Sequence, residues 1–273
     1  MTDFLTIMAA PGAACLILSI IYTYFGIHVL KREILFVDLS LAQLAALGTT
    51  VAFILDRDPD SGASLLFSMV FVIGGALFFT ATRPLTARVP QEAIIGIVYV
   101  VAASVALLLV THAPHGAEHI KTLLNGSILW MSWEGVLKLF GVVLGVALVH
   151  WFVRNRMESQ SEFYKKPPFK GDSSFTWDFL FYGTLGLVII FSVRTAGIFL
   201  VFTFLIIPAV CGALVFRSLR GQFIVGSCVG ITASLGGLML SFFLDLPTGA
   251  TLVCTFGAVF LIFLLGNRFQ GPP

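Results

Sequence analysis

The chain has 273 residues, of which 58% are hydrophobic and only 11% charged. A soluble domain carries about 25% charged residues, so a water-soluble globular fold is excluded and a polytopic membrane protein is indicated. The net charge of +2 gives no ground for a nucleic-acid partner, and Cys15, Cys211, Cys228 and Cys254 lie in apolar runs with no CxxC pair, so neither a thiolate metal site nor a disulfide framework is indicated.

Asp3 is the only charge before Lys31, so the basic flank of a cleaved signal peptide is missing. The first apolar run, 9–30, is expected to stay as a spanning helix, with His28 near its inner, interfacial end. The second run, 34–55, contains Asp38, Ser40 and Gln43 among oily and small residues. A helix starting near Ile34 puts Asp38 about one turn in and Gln43 about 14 Å deep, close to the bilayer midplane. Ser40 and Gln43 share a face with Leu47 and Thr50, whereas Asp38 lies on another. For Asp38, helix-dipole stabilisation and a functional role stand equally open. A midplane amide facing lipid is costly, so Gln43 should face protein or a water-filled path.

Further runs follow at 64–82 and 93–111, with Glu92 opening the latter as an N-terminal helix charge. Residues 112–133 are part polar and too short to span twice, which predicts a short re-entrant or surface helix near 116–130. Here Glu118 and His119 adjoin, with His115 just before, and carboxylate and imidazole are suitable ligands for Zn²⁺, Mn²⁺ or Fe²⁺. A solvated surface turn is the competing reading of these residues. The run 134–153 carries Gly141 and Gly145 at a helix-packing spacing, and His150 near its inner interface.

Residues 155–175 form the longest polar segment, basic and interrupted by Pro167 and Pro168. Docking of a soluble partner or a plain linker both accommodate it. The runs 176–193 and 195–217 flank Arg194, and the spans number eight rather than nine if these two form one broken element. Pro208 removes a backbone hydrogen bond and is expected to kink its helix. The runs 221–244 and 248–266 complete the chain; Gly226, Gly230 and Ser234 suggest close helix packing, and Asp245 reads as a cap for the last helix. The predicted fold is therefore all-α, a polytopic transmembrane helical bundle of eight or nine spans forming a single domain over 1–273.

Twelve lysines and arginines fall in loops on one side and three (Arg57, Lys121 and Arg194) on the other, with Lys138 inside a span. The basic side is expected to be cytoplasmic, which puts the N-terminus outside and the C-terminus inside. There is no GxxxxGK[ST] motif, so ATP binding by a P-loop is excluded, and no HExxH or GxSxG supports an enzyme.

Several pieces, taken in order, resemble the membrane permeases of bacterial ABC importers for zinc, manganese and iron. They are Gly26–Arg32, Phe36–Gly48, Glu92–Tyr99, Leu124–Leu129, Val193–Val201, Leu205–Ala209 and Asp245–Ala250. The resemblance implies a cytoplasmic ATPase subunit carrying the ATP, an extracytoplasmic solute-binding protein, a homodimer in the bacterial inner membrane and a divalent metal ion as cargo, with no cofactor of the chain's own. It places the ATPase coupling segment at about 155–175, where Glu158, Glu162 and Gly171 match the family pattern and Lys165-Lys166-Pro167-Pro168 departs from it. It also implies a substrate pathway along the second span. There the family histidine falls on Gln43 and the family aspartate on Leu39, one step from Asp38. A stand-alone secondary transporter or channel using Asp38, Ser40 and Gln43 as an ion relay is the alternative.

Overall fold

A computed structural model describes residues 2–55, 57, 61–111, 116–126, 128–163 and 173–268. In these residues the chain forms helices α1 (Thr2–Arg32), α2 (Val37–Ile54), α3 (Gly62–Thr82), α4 (Gln91–Val110), α5 (Gly116–Asn125), α6 (Trp133–Phe163), α7 (Ser173–Ala196), α8 (Ile198–Val215), α9 (Leu219–Leu244) and α10 (Thr248–Arg268). All except α5 are long and apolar enough to cross a bilayer, which gives nine candidate spans among the described residues. The segments 176–193 and 195–217 are two helices, separated by Gly197 in the left-handed region (φ 79°). The amphipathic α5 occupies the place predicted for a short non-spanning helix.

Residues cluster into two compact units, one comprising 1–30, 125–144 and 195–273, the other 31–124 and 145–194. Small residues organise the first unit. A Cβ on Gly226 of α9 would lie 2.7 Å from the Pro208 carbonyl oxygen, and one on Gly230 would lie 3.0 Å from Ser19 Cβ. The Ser234 hydroxyl donates to the Gly230 carbonyl and sits 3.4 Å from the Ser19 hydroxyl. So Gly226, Gly230 and Ser234 do bring backbones together. Helix α8 runs unbroken through Pro208. Asp245 closes α9 as a left-handed C-cap (φ 50°), its amide donating to the Ser241 carbonyl, rather than capping α10.

Three loop junctions of this unit converge. The Gly126 α-carbon (φ 67°) lies against the Ala196–Gly197 peptide, and a Cβ on Gly249 would lie 2.7 Å from the Asn125 carbonyl oxygen. Any side chain at 126 or 249 would collide with backbone, which has nowhere to move.

In the second unit α2 packs against both α3 and α4. Leu47, Ala102 and Ala106 form a buried cluster flanked by Leu44, Val51 and Phe71. Backbones come close at Gly48, where a Cβ would lie 2.7 Å from the Ser68 amide nitrogen. The Thr49 and Ser68 hydroxyls are 2.9 Å apart beside it, and Ser68 also reaches the Ala45 carbonyl at 3.0 Å. Not every small-residue pair is used in this way: Gly141 and Gly145 of α6 face open space.

Candidate functional site

Alanines and glycine let neighbours close around α2, and 72% of it is buried, against 11% for α10. Its polar side chains are therefore enclosed by protein. The helix starts at Val37 rather than Ile34, because Ile34–Phe36 form a turn after Glu33 (φ 55°). Gln43 is consequently the seventh of 18 residues and lies about 9 Å from the helix start, short of its midpoint.

The α2 N-terminus gathers two carboxylates. Phe36, its cap residue, has no capping side chain of its own, and its amide donates instead to Glu92 Oε1 of α4 at 3.1 Å. Glu92 thus caps α2 from a neighbouring helix. Asp38 stands in the first turn of α2 at 1% exposure. Neither Asp38 oxygen, nor Glu92 Oε2, has a hydrogen-bond partner among the described residues. The helix dipole favours negative charge here, but a dipole does not replace the lost hydrogen bonds.

One face of α2 is polar and unsatisfied. Ser40, Gln43 and Thr50 follow one another at helical spacing, all buried. The hydroxyls of Ser40 and Thr50 have no partner among the described residues, and no hydrogen bond joins the Gln43 amide to any of them. Thr49 shows the usual alternative, donating to the Ala45 carbonyl at 3.1 Å. An orphan buried polar group costs about 1–3 kcal/mol, so the two orphan hydroxyls on this face need water, a ligand or another protein surface to offset them.

The other predicted residues are scattered. Glu118 is exposed on α5; the His119 side chain and His115 lie outside the described residues. Among the described residues no group of three or more His, Cys, Asp and Glu could hold a metal ion. Glu158 is exposed on α6, which extends to Phe163, so 155–163 is helix rather than loop; the Glu162 side chain and Gly171 lie outside the described residues. With 31 residues α6 is about 46 Å long and outruns a hydrocarbon core. His28 and His150, expected at an interface, are 5% and 3% exposed. His28 meets the Tyr24 ring edge-on, and His150 Nε2 lies 2.8 Å from the Thr184 hydroxyl. Arg194 donates to Ser64 Oγ at 2.9 Å.

Sequence reasoning missed one cluster. Asp178 on α7 is fully buried and accepts from Arg32 Nη1 at 3.1 Å and from Arg83 Nη1. A lone aspartate near the start of an apolar run was the available signal, because a buried charge must be paired.

Nine apolar helices among the described residues, one of them with an enclosed polar face, define a polytopic membrane protein. The chain belongs to the ABC 3 transport family, whose sequence model covers residues 5–267. That membership sets aside the stand-alone transporter. The manganese transport system membrane protein MntC of Listeria monocytogenes serovar 1/2a is 24% identical over 219 residues, 78% of each chain. An uncharacterized membrane protein of Cyanophora paradoxa is 33% identical over 85 residues, 31% of this chain and 28% of that one. The structure of PsaBC from Streptococcus pneumoniae in complex with Fab shares the fold, with a TM-score of 0.75 at 20% identity over 96% of this chain and 94% of the matched chain.

Proposed function

We infer that this chain is the membrane-spanning permease subunit of an importer for a divalent transition-metal ion, driven by ATP hydrolysed on a separate subunit. The unsatisfied face of α2 carries the reading: Ser40, Gln43 and, from the first turn, Asp38 border the substrate pathway. All three offer oxygen donors, which suit Mn²⁺ better than Zn²⁺, and MntC is named for manganese. The family histidine that would favour zinc is replaced by Gln43.

The end of the molecule bearing the basic loops faces the cytoplasm of a bacterium, with the N-terminus outside. There the ATPase docks on the end of α6 and the connection that follows it, through Glu158, Glu162 and Gly171. On the outer side a solute-binding protein delivers the ion near Glu118 and His119. The open Gly141–Gly145 face of α6 supports assembly with a second copy, because small residues let helices approach in lipid.

Reconstitution in proteoliposomes tests this. Manganese uptake should require the ATPase, the binding protein and ATP together. Full uptake by the chain alone, or failure of the chain to retain the ATPase on purification, would overturn the reading.

A further inference from the structure

One guanidinium lies where four helix ends meet. Arg32 is the last residue of α1; its Nε donates to Ser161 Oγ at 3.1 Å, near the end of α6. Its Nη1 donates to Asp178 Oδ1 at 3.1 Å, in the second turn of α7, and its plane lies 4.0 Å from the centre of the Phe181 ring. The second Asp178 oxygen accepts from Arg83, the first residue after α3. The side chains of Arg32 and Asp178 are 0% exposed and that of Arg83 is 8% exposed. Ser161 also donates to the Met157 carbonyl at 3.0 Å, so its lone pair is aimed at Arg32 by α6 itself.

Both sides of the α6–α7 connection, Ser161 before it and Asp178 after it, are thus held by the same side chain. Arg32 in turn is followed by the short turn that opens α2. That turn is stiff: Glu33 is left-handed, Ile34 and Val37 are fully buried, and the Val37 amide donates to the Ile34 carbonyl. A displacement of the α6 end at Ser161 or of the α7 start at Asp178 would have only this turn to cross before reaching the helix carrying Ser40, Gln43 and Thr50. Buried ion pairs transmit displacement because breaking them exposes unpaired charge to a low-dielectric interior.

We propose that Arg32 is a positioning residue that couples the α6–α7 connection to α2, with Ser161 and Asp178 as its two grips and Arg83 as the anchor of Asp178. The proposal rests on the reading that the ATPase docks on this connection.

The test uses the complete transporter in proteoliposomes. Arg32→Lys keeps the charge but loses the planar fork that serves Ser161 and Asp178 together. It should retain the ATPase and hydrolyse ATP within about twofold of normal, while manganese moved per ATP falls at least about fivefold. Ser161→Ala, which removes only the grip on α6 and is the milder change, should lower the same ratio by a smaller factor. A weakened fold would reduce both rates in proportion and leave the ratio alone. An unchanged ratio in both variants overturns the proposal; if Arg32→Lys does not fold, an unchanged ratio in Ser161→Ala does so. Failure of the wild-type chain to bind the ATPase would instead sink the docking reading beneath it.

Discussion

Gly126 and Gly197 lock each other's backbones: both sit in the left-handed region, at φ 67° and 79°, and the α-carbon of one lies against the amide of the other. The contact joins the entry to α6 with the α7–α8 junction, two places where the chain must turn sharply.

Gly126→Ala should therefore destabilise the protein by about 2–4 kcal/mol, the sum of left-handed strain and overpacking. Gly183→Ala in α7 is the control, because its Cβ would meet nothing within 4 Å. In a helix that change should be neutral or stabilising by up to about 1 kcal/mol. Thermal unfolding in detergent distinguishes them, and equal melting temperatures for the two variants would contradict the assigned contact.

Thr50→Val removes a buried hydroxyl that has no partner among the described residues, so stability should hold or rise. Thr49→Val removes a hydroxyl bonded to Ala45 and Ser68 and should cost about 1–2 kcal/mol. If the orphan face borders the pathway, Thr50→Val should slow metal uptake despite its intact fold, whereas unchanged uptake would leave that hydroxyl without a transport role.

Gln43→Leu should abolish most uptake while leaving the ATPase attached, since it replaces an oxygen donor with a hydrocarbon of similar size. Gln43→His should shift cargo selectivity from manganese towards zinc, because imidazole suits Zn²⁺ better than an amide oxygen does. Competition between the two metals in an uptake assay measures the shift. No change in preference would separate Gln43 from cargo selection.

Glu92→Ala removes the acceptor that caps α2 through the Phe36 amide and should cost about 0.5–2 kcal/mol, the usual range for a lost N-cap. Glu92→Gln keeps an acceptor oxygen and should recover most of that loss. Unfolding midpoints of the two variants provide the check, and identical losses would point to charge rather than the hydrogen bond.

Much of this molecule is written in composition and spacing. Nine apolar stretches separated by short polar ones have few ways to exist in a bilayer, because every backbone group there must be satisfied within a helix. Hydropathy alone therefore yields the spans, and the polar residues of α2 stand out against so uniform a background. The Gly226, Gly230 and Ser234 spacing likewise foretold a close helix crossing. The identical spacing of Gly141 and Gly145 did not, since a pattern of small residues names no partner.

Tertiary structure decided which polar groups meet. Asp178, Arg32 and Arg83 are far apart in the chain, and the arginines read from sequence only as markers of membrane side; pairing over 146 and 95 residues is a property of helix packing. Glu92 likewise read as a charge on its own helix, and only packing revealed it as the cap of another. Sequence by itself determined that this chain lives among lipids as helices, because solvation energy is additive along a chain. Which buried side chains find partners, and which on α2 are left for something else to satisfy, depends on distances that no local pattern encodes.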